Sequence, residues 1–193
     1  NMTELNSRII ISFMGVDGSG KTTLAKKINK LLLQSKYLHL KPYILFQDKR
    51  TVVKNPHNLI KSIPIVSLFR LLSWLISYKF FFLLNKNKKV YVFDRYAHDI
   101  LIDPVRYRHN LSKRLTKYVL NIFPEPDLWI FLKPSLKTLK SRKFELSDNE
   151  LRRQLKEYSI FFTNKKNVIK LNTNAENKIL ITKIKKKLNN IIK

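Results

Sequence analysis

The apolar positions along the chain change period repeatedly, and each change marks an element. Arg8–Met14 (Arg-Ile-Ile-Ile-Ser-Phe-Met) is a short β-branched run that stops at Gly15, the pattern of a strand buried on both faces. From Thr22 to Ser35 the apolar residues Leu24, Ala25, Ile28, Leu31 and Leu32 recur at helical spacing. Leu40–Phe46 is the second strand expected, with Pro42 near its start, and the polar stretch Asp48–Ser62, which holds Pro56, reads as a loop. Pro64–Leu84 is apolar and helical in length. Val90–Asp94 and Asp127–Leu132 read as further buried strands, and Tyr96–His109 as a loop. Leu111–Ile122 reads as a helix stopped by Pro124 and Pro126, and Pro134–Arg142 as a helix with proline near its first position. Ser147-Asp148-Asn149-Glu150 is a capping box that opens a helix to about Phe162. Val168–Leu171 is the last strand and Ala175–Ile192 a basic terminal helix. Strands alternating with helices predict an α/β fold, a five-stranded parallel sheet with helices on both faces, in one domain over residues 1–193.

Composition adjusts this picture at three points. Pro64–Leu84 has the length of a membrane span, but Arg70 and Lys79 interrupt it, and a charge at bilayer depth costs a few kcal/mol or more. A buried or dimer-forming helix is therefore expected, with no integral membrane segment. The absence of cysteine excludes disulfides and thiolate metal sites. Asn1-Met2-Thr3-Glu4 lacks the basic-then-apolar pattern of a secretion signal, so a cytoplasmic protein is expected. Lys and Arg outnumber Asp and Glu by 39 to 13, a formal net charge of +26, which favours anionic partners. The lysines are scattered and no aromatic–basic platform interleaves them, so nucleic acid is not an expected partner.

The chemistry begins at Gly15-Val16-Asp17-Gly18-Ser19-Gly20-Lys21-Thr22, a full P-loop pattern placed between a strand and a helix. Its glycines let the backbone turn its N–H groups onto phosphate oxygens, and the helix N-terminus adds partial positive charge. Lys21 is expected to reach the β- and γ-phosphates of ATP, and Thr22 to hold Mg²⁺. Asp17, Ser19, Gly20 and Thr23 complete the expected nucleotide cradle. A GTPase would carry an Asn-Lys-x-Asp motif; Asn85-Lys86-Asn87-Lys88 lacks the aspartate.

With Gly15–Thr23 (GVDGSGKTT), Asp94-Arg95-Tyr96 at a strand end, and Pro126-Asp127-Leu128-Trp129-Ile130-Phe131-Leu132, the chain resembles the thymidylate kinases, within the P-loop NTPase fold. The resemblance extends to the helix ending at Arg142. It implies that Asp17 contacts the acceptor sugar, that Arg95 clamps the acceptor phosphate beside Tyr96, and that Asp94 helps hold Mg²⁺. It implies that Phe69 stacks on the acceptor base with Ser73 one turn on, although aromatics at helical spacing are commonly core. Gly18 leaves the P-loop without an arginine, so the resemblance places a catalytic arginine on a lid at about residues 142–153, either Arg152 or Arg153, with Arg142 near the ATP. The acceptor already carries a phosphate, so cations are needed on both sides of the transfer. Lys49 or Arg50 are candidates to assist Arg95.

The chain also departs from the family pattern. Ser73 stands where many members have an arginine that reads the thymine edge. Lys133 follows the Asp127–Leu132 strand where members often have Asp. Asp94–Arg108 lacks the usual serine- and glutamine-bearing continuation, and its Asp103, Arg106 and Arg108 form a charged patch that either serves the site or caps the next helix. These departures mark a divergent branch and leave three functions open: a thymidylate kinase-type enzyme using ATP and Mg²⁺, a kinase of another small anionic acceptor such as a sugar-type metabolite, or a non-catalytic nucleotide-binding basic module. A homodimer through the 64–84 helix is expected from its apolar surface and from family habit.

Overall fold

The computed structural model describes residues 8–42, 62–85, 89–142 and 147–192. Five parallel strands form one sheet in the order β2-β3-β1-β4-β5. These are β1 (Ile9–Met14), β2 (Ser35–His39), β3 (Val90–Asp94), β4 (Leu128–Leu132) and β5 (Val168–Leu171). Every residue of β1, β3 and β4 is buried, which is why all three read as unbroken apolar runs rather than alternating ones. Helices α1 (Lys21–Leu31), α5 (Asp148–Phe161) and α6 (Asn177–Ile192) cover the sheet. Leu24, Ala25 and Ile28 of α1, with Leu180, Ile184 and Leu188 of α6, close over Ile9, Ile11, Phe13, Val90, Val92 and Ile130. The alternate residues point to the opposite face. There Phe131 stacks on Tyr158 and Phe162, and Trp129 meets Phe161 and Phe162 edge-on. The expected P-loop NTPase fold, with helices on both faces of a parallel sheet, is present.

The second strand is displaced from where the apolar pattern put it. It runs over Ser35–His39, not Leu40–Phe46, and residues 43–46 lie outside the described part. Leu40 has φ +58°, a left-handed turn that no strand residue adopts. Its carbonyl accepts a hydrogen bond from the Tyr78 hydroxyl, and Pro42 beyond it has no N–H for a ladder. An edge strand needs burial on one side only, so its sequence can be half polar. The same shift ends α1 early. Ser35 Oγ donates to the carbonyls of Asn29 and Leu32 at 2.6 and 2.9 Å, tying the helix end to the strand start. Most of the loop expected over Asp48–Ser62 also lies outside the described residues.

The chain divides into two compact units: one over Asn1–His39, Asn87–Tyr96 and Pro126–Lys193, the other over Leu40–Lys86 and Ala97–Glu125. The second unit holds α2 (Pro64–Leu84), a 3-10 turn at Ala97–Leu101 inside the expected loop, and α3 (Lys113–Leu120). α2 is long and apolar enough to cross a membrane by length and composition, yet one side of it packs within the unit. Trp74 meets Tyr107 edge-on at 5.6 Å and Tyr78 meets Phe123 at 5.4 Å. Arg70 is half-buried, its guanidinium donating to the Tyr107 carbonyl and to Ser62 Oγ. Ser112 caps α3 by accepting from the Leu115 amide. Asp103 instead accepts from Arg106, so the charged patch does not cap that helix.

In the first unit, α4 (Leu136–Arg142) starts after Ser135, whose hydroxyl accepts from the Thr138 amide. Pro134 thus precedes the cap rather than opening the helix. Ser147 caps α5 by accepting from the Glu150 amide, the forward half of the expected capping box.

Candidate active site

The loop between β1 and α1 is shaped by its glycines. Gly15 has φ +148°, and a Cβ there would lie 2.6 Å from the Leu132 carbonyl oxygen of the neighbouring strand. No other residue fits without displacing β4. Gly20 sits before the first turn of α1 at φ +90° and offers no side chain to cap it. The first N–H groups of the helix therefore face outward with their partial positive charge, the arrangement that receives a phosphate. Lys21 lies across this loop and is only 5% exposed. Its Nζ donates to the Val16 carbonyl at 2.7 Å and lies 3.4 Å from Ser19 Oγ and 3.8 Å from Asp17 Oδ1.

The parallel register sets Asp94, the last residue of β3, beside Phe13 near the end of β1. Its carboxylate is buried. Oδ2 accepts from Thr22 Oγ1 at 2.6 Å and from the Tyr37 hydroxyl at 3.0 Å, and His39 Nδ1 lies 3.4 Å from it. Oδ1 is buried without a hydrogen-bond partner. Burial alone would raise the pKa of this acid. Hydrogen bonds from His39 and Thr22, and the charge of Lys21, outweigh burial and hold it at about 2. Asp94 is a fixed anion at neutral pH.

Arg95 follows with φ +71°, a left-handed conformation that is costly for a residue with a Cβ and that clusters at functional sites. Its amide donates to the Phe13 carbonyl at 3.0 Å, which anchors the turn. The guanidinium donates to Asp17 Oδ1. Asp17 thus stands between the two cations expected to serve donor and acceptor phosphates. Sequence distance hid this pairing.

The remaining expected residues distribute as follows. Thr22 and Thr23 are exposed on the first turn of α1, and Ser19 is buried. Tyr96 is a core residue, fully buried and packed edge-on against Phe93 and Trp129; its ring presents no open face to a ligand. Phe69 is 66% exposed, so it is not the core residue its spacing allowed. Ser73 is exposed and donates to the Arg70 carbonyl. Both lie in the second unit. Arg153 is engaged by Glu150 in a bidentate pair of 2.6 and 2.7 Å, whereas Arg152 is exposed one position earlier. The backbone of Arg142 ends α4. Lys49 and Arg50 lie outside the described residues, as does the stretch 143–146 of the expected lid. Tyr37 and His39 were absent from the sequence reading. They occupy alternate positions on one side of β2, a relation visible only once the strand is registered from Ser35.

Thr22 and Asp94 fit a hydrated magnesium ion: a hydroxyl at the helix start, and a permanently ionised carboxylate with one buried oxygen unpartnered. Among the described residues no group of three or more His, Asp or Glu could hold a metal by itself. Such an ion would depend on phosphate oxygens of the nucleotide for its other ligands.

No protein-family model matches the chain. A curated protein of Sulfolobus acidocaldarius, named "Probable thymidylate kinase", is 34% identical over 129 residues, and the match spans 64% of this chain and 62% of that protein. The fold is close to thymidylate kinase of Candida albicans (TM-score 0.65, 18% identity, 97% of this chain and 94% of that one). It is also close to deoxyadenosine kinase of M. mycoides (TM-score 0.62, 20% identity, 95% and 100%). At these identities the two structures speak for the fold. Together with the local match in sequence, they agree with the motifs at Gly15–Thr22 and Asp94–Arg95: the chain has the P-loop kinase fold and is similar, over part of its length, to a probable thymidylate kinase.

Proposed function

We propose that the chain is an ATP-dependent deoxynucleoside monophosphate kinase that converts dTMP to dTDP. The observation that carries this reading is the convergence of Lys21, Thr22, Asp94, Asp17 and Arg95 at the ends of β1 and β3. It supplies cations for two phosphates and an anchor for a metal. An oxygen of the acceptor phosphate attacks the γ-phosphorus of ATP, the bond from that phosphorus to the β,γ-bridging oxygen breaks, and ADP leaves. Little covalent work falls to the protein; its task is positioning and charge neutralisation. Lys21 turns from the Val16 carbonyl to the β- and γ-phosphates. Arg95 exchanges Asp17 for the acceptor phosphate, which frees the Asp17 carboxylate for the acceptor sugar. Thr22, and Asp94 through water, would hold magnesium, which would supply charge neutralisation. Arg152 is the lid cation ready to approach, since Arg153 must first leave Glu150.

Phe69, exposed on α2, is the proposed stacking platform for the acceptor base. Ser73 brings no cationic reader to the base edge. That observation favours a second reading, in which other small phosphorylated acceptors are also used. The protein is further proposed to act in the cytoplasm as a homodimer joined through α2.

The test is ADP release with dTMP, dCMP, dAMP and hexose phosphates as acceptors. dTMP should give the highest kcat/KM. Arg95→Ala should lower kcat/KM for the acceptor by roughly a hundredfold while ATP affinity stays within about threefold. No turnover with dTMP alongside turnover of another acceptor would reject the dTMP assignment. Unchanged acceptor kinetics in the variant would reject the clamp.

A further inference from the structure

Asp94 is served from a strand that the P-loop motif does not include. β2 pairs with β3 in parallel, with Tyr37 opposite Val92 and His39 opposite Asp94. Ser35, Tyr37 and His39 share the side of the sheet on which α1 packs, as do Val90, Val92 and Asp94. Tyr37 lays its ring along the α1 core, with the Lys26 ammonium 5.9 Å from the ring centroid, and its hydroxyl reaches Asp94 Oδ2. His39 approaches the same oxygen from the strand end, with 43% of its side chain exposed. Two β2 residues and Thr22 therefore crowd one carboxylate oxygen, and the other is left buried and unpartnered.

We infer that Tyr37 is a positioning residue for Asp94: its hydroxyl, backed by His39, fixes the carboxylate through Oδ2 so that Oδ1 stays available to metal-bound water. This rests on the proposed role of Thr22 and Asp94 as the magnesium-holding pair. The Thr22 hydroxyl can keep its proton on Asp94 Oδ2 while an oxygen lone pair faces the ion, so the Asp94 rotamer is held jointly by Thr22 and by the donors from β2. Outer partners of this kind typically change metal affinity by roughly ten- to a hundredfold when removed.

Tyr37→Phe removes the hydroxyl and keeps the ring on the core. His39→Leu removes the second donor from an exposed position and provides the same test should the first variant fold poorly. The measurement is a magnesium titration of ATP binding, read as the fluorescence change of a labelled ATP and as the rise in melting temperature, beside ATP binding in excess EDTA. Tyr37→Phe should raise the magnesium midpoint roughly tenfold, and His39→Leu should raise it in the same direction. Metal-free ATP affinity should not change. A midpoint within twofold of wild type in both variants overturns the inference, as does equal weakening of ATP binding with and without magnesium, which marks a merely structural role. If wild type itself bound ATP independently of magnesium, the assignment of Thr22 and Asp94 would fail first and this inference with it. ATP binding in EDTA that Lys21→Ala abolishes would still uphold the phosphate loop in that event.

Discussion

A buried ionisable group reveals its surroundings through the pH range in which it destabilises the fold. His109 in the second unit shares a 2.7 Å hydrogen bond through Nε2 with Thr116 Oγ1, while Nδ1 is buried without a partner. Burial, reinforced by the Arg70 charge, holds the imidazole neutral and lowers its pKa to about 4. In the unfolded chain the same ring titrates near 6.5. Between those values the unfolded chain binds a proton that the folded chain refuses, so stability falls as pH falls from about 6.5 towards 4. The loss at pH 5 should reach about 2 kcal/mol. Asp94, with its pKa at about 2, adds acid sensitivity only below the ordinary carboxylate range, under this window. Urea unfolding at pH 7.5 and pH 5 checks the prediction. His109→Gln should flatten the difference, and an undiminished acid loss in that variant would assign it to other groups.

Elements were legible in the sequence to the extent that burial dictated their composition. β1, β3 and β4 are covered on both faces, so nearly every position is apolar and each run announces itself. The phosphate loop was legible because its chemistry is local, with each glycine required by a turn or a close approach within a few residues. β2 was not, because an edge strand is half solvated. The stronger apolar signal at Leu40–Phe46 drew the boundary past the turn that Leu40 makes. That error concealed Tyr37 and His39. The Asp17–Arg95 pair was hidden for another reason: the residues lie 78 positions apart, and only the parallel register brings them together. α2 shows the limit of periodicity. Its exposed residues Ile65, Ile76, Phe80 and Leu83 fall on one stripe at helical spacing, opposite the buried stripe through Leu71, Trp74 and Tyr78. An all-round apolar helix with one packed side is the feature behind the proposed homodimer. Each large apolar side chain covered by a partner contributes about 1.5–3 kcal/mol. Ile76→Glu with Phe80→Glu should therefore convert a dimer to monomer at micromolar concentration, read by light scattering. A monomeric wild type would remove the proposal.

At the scale of the whole molecule the charge sets two tendencies against each other. A net charge of +26 draws phosphate-bearing substrates towards the protein and pushes a second copy away. Exposed charges act over a distance that shrinks from about 30 Å at 0.01 M salt to about 3 Å at 1 M, so ionic strength should move the two tendencies in opposite directions. Raising NaCl from about 50 to 500 mM should lower kcat/KM for ATP and for the acceptor by up to roughly tenfold, because the local concentration of anions falls. kcat should change little, since Lys21 and Arg95, both buried, are proposed to act on phosphates already bound. Over the same range the dimer should tighten, because its contact is apolar and its repulsion is screened. Lys183, Lys185 and Lys186 lie exposed on α6, which carries no proposed site residue. Replacing them together with Gln should flatten the salt dependence of kcat/KM and leave its high-salt limit in place. A salt-insensitive kcat/KM in wild type would show instead that the lysines are only a solvated coat, and that the few cations at the ends of β1 and β3 capture the nucleotide unaided.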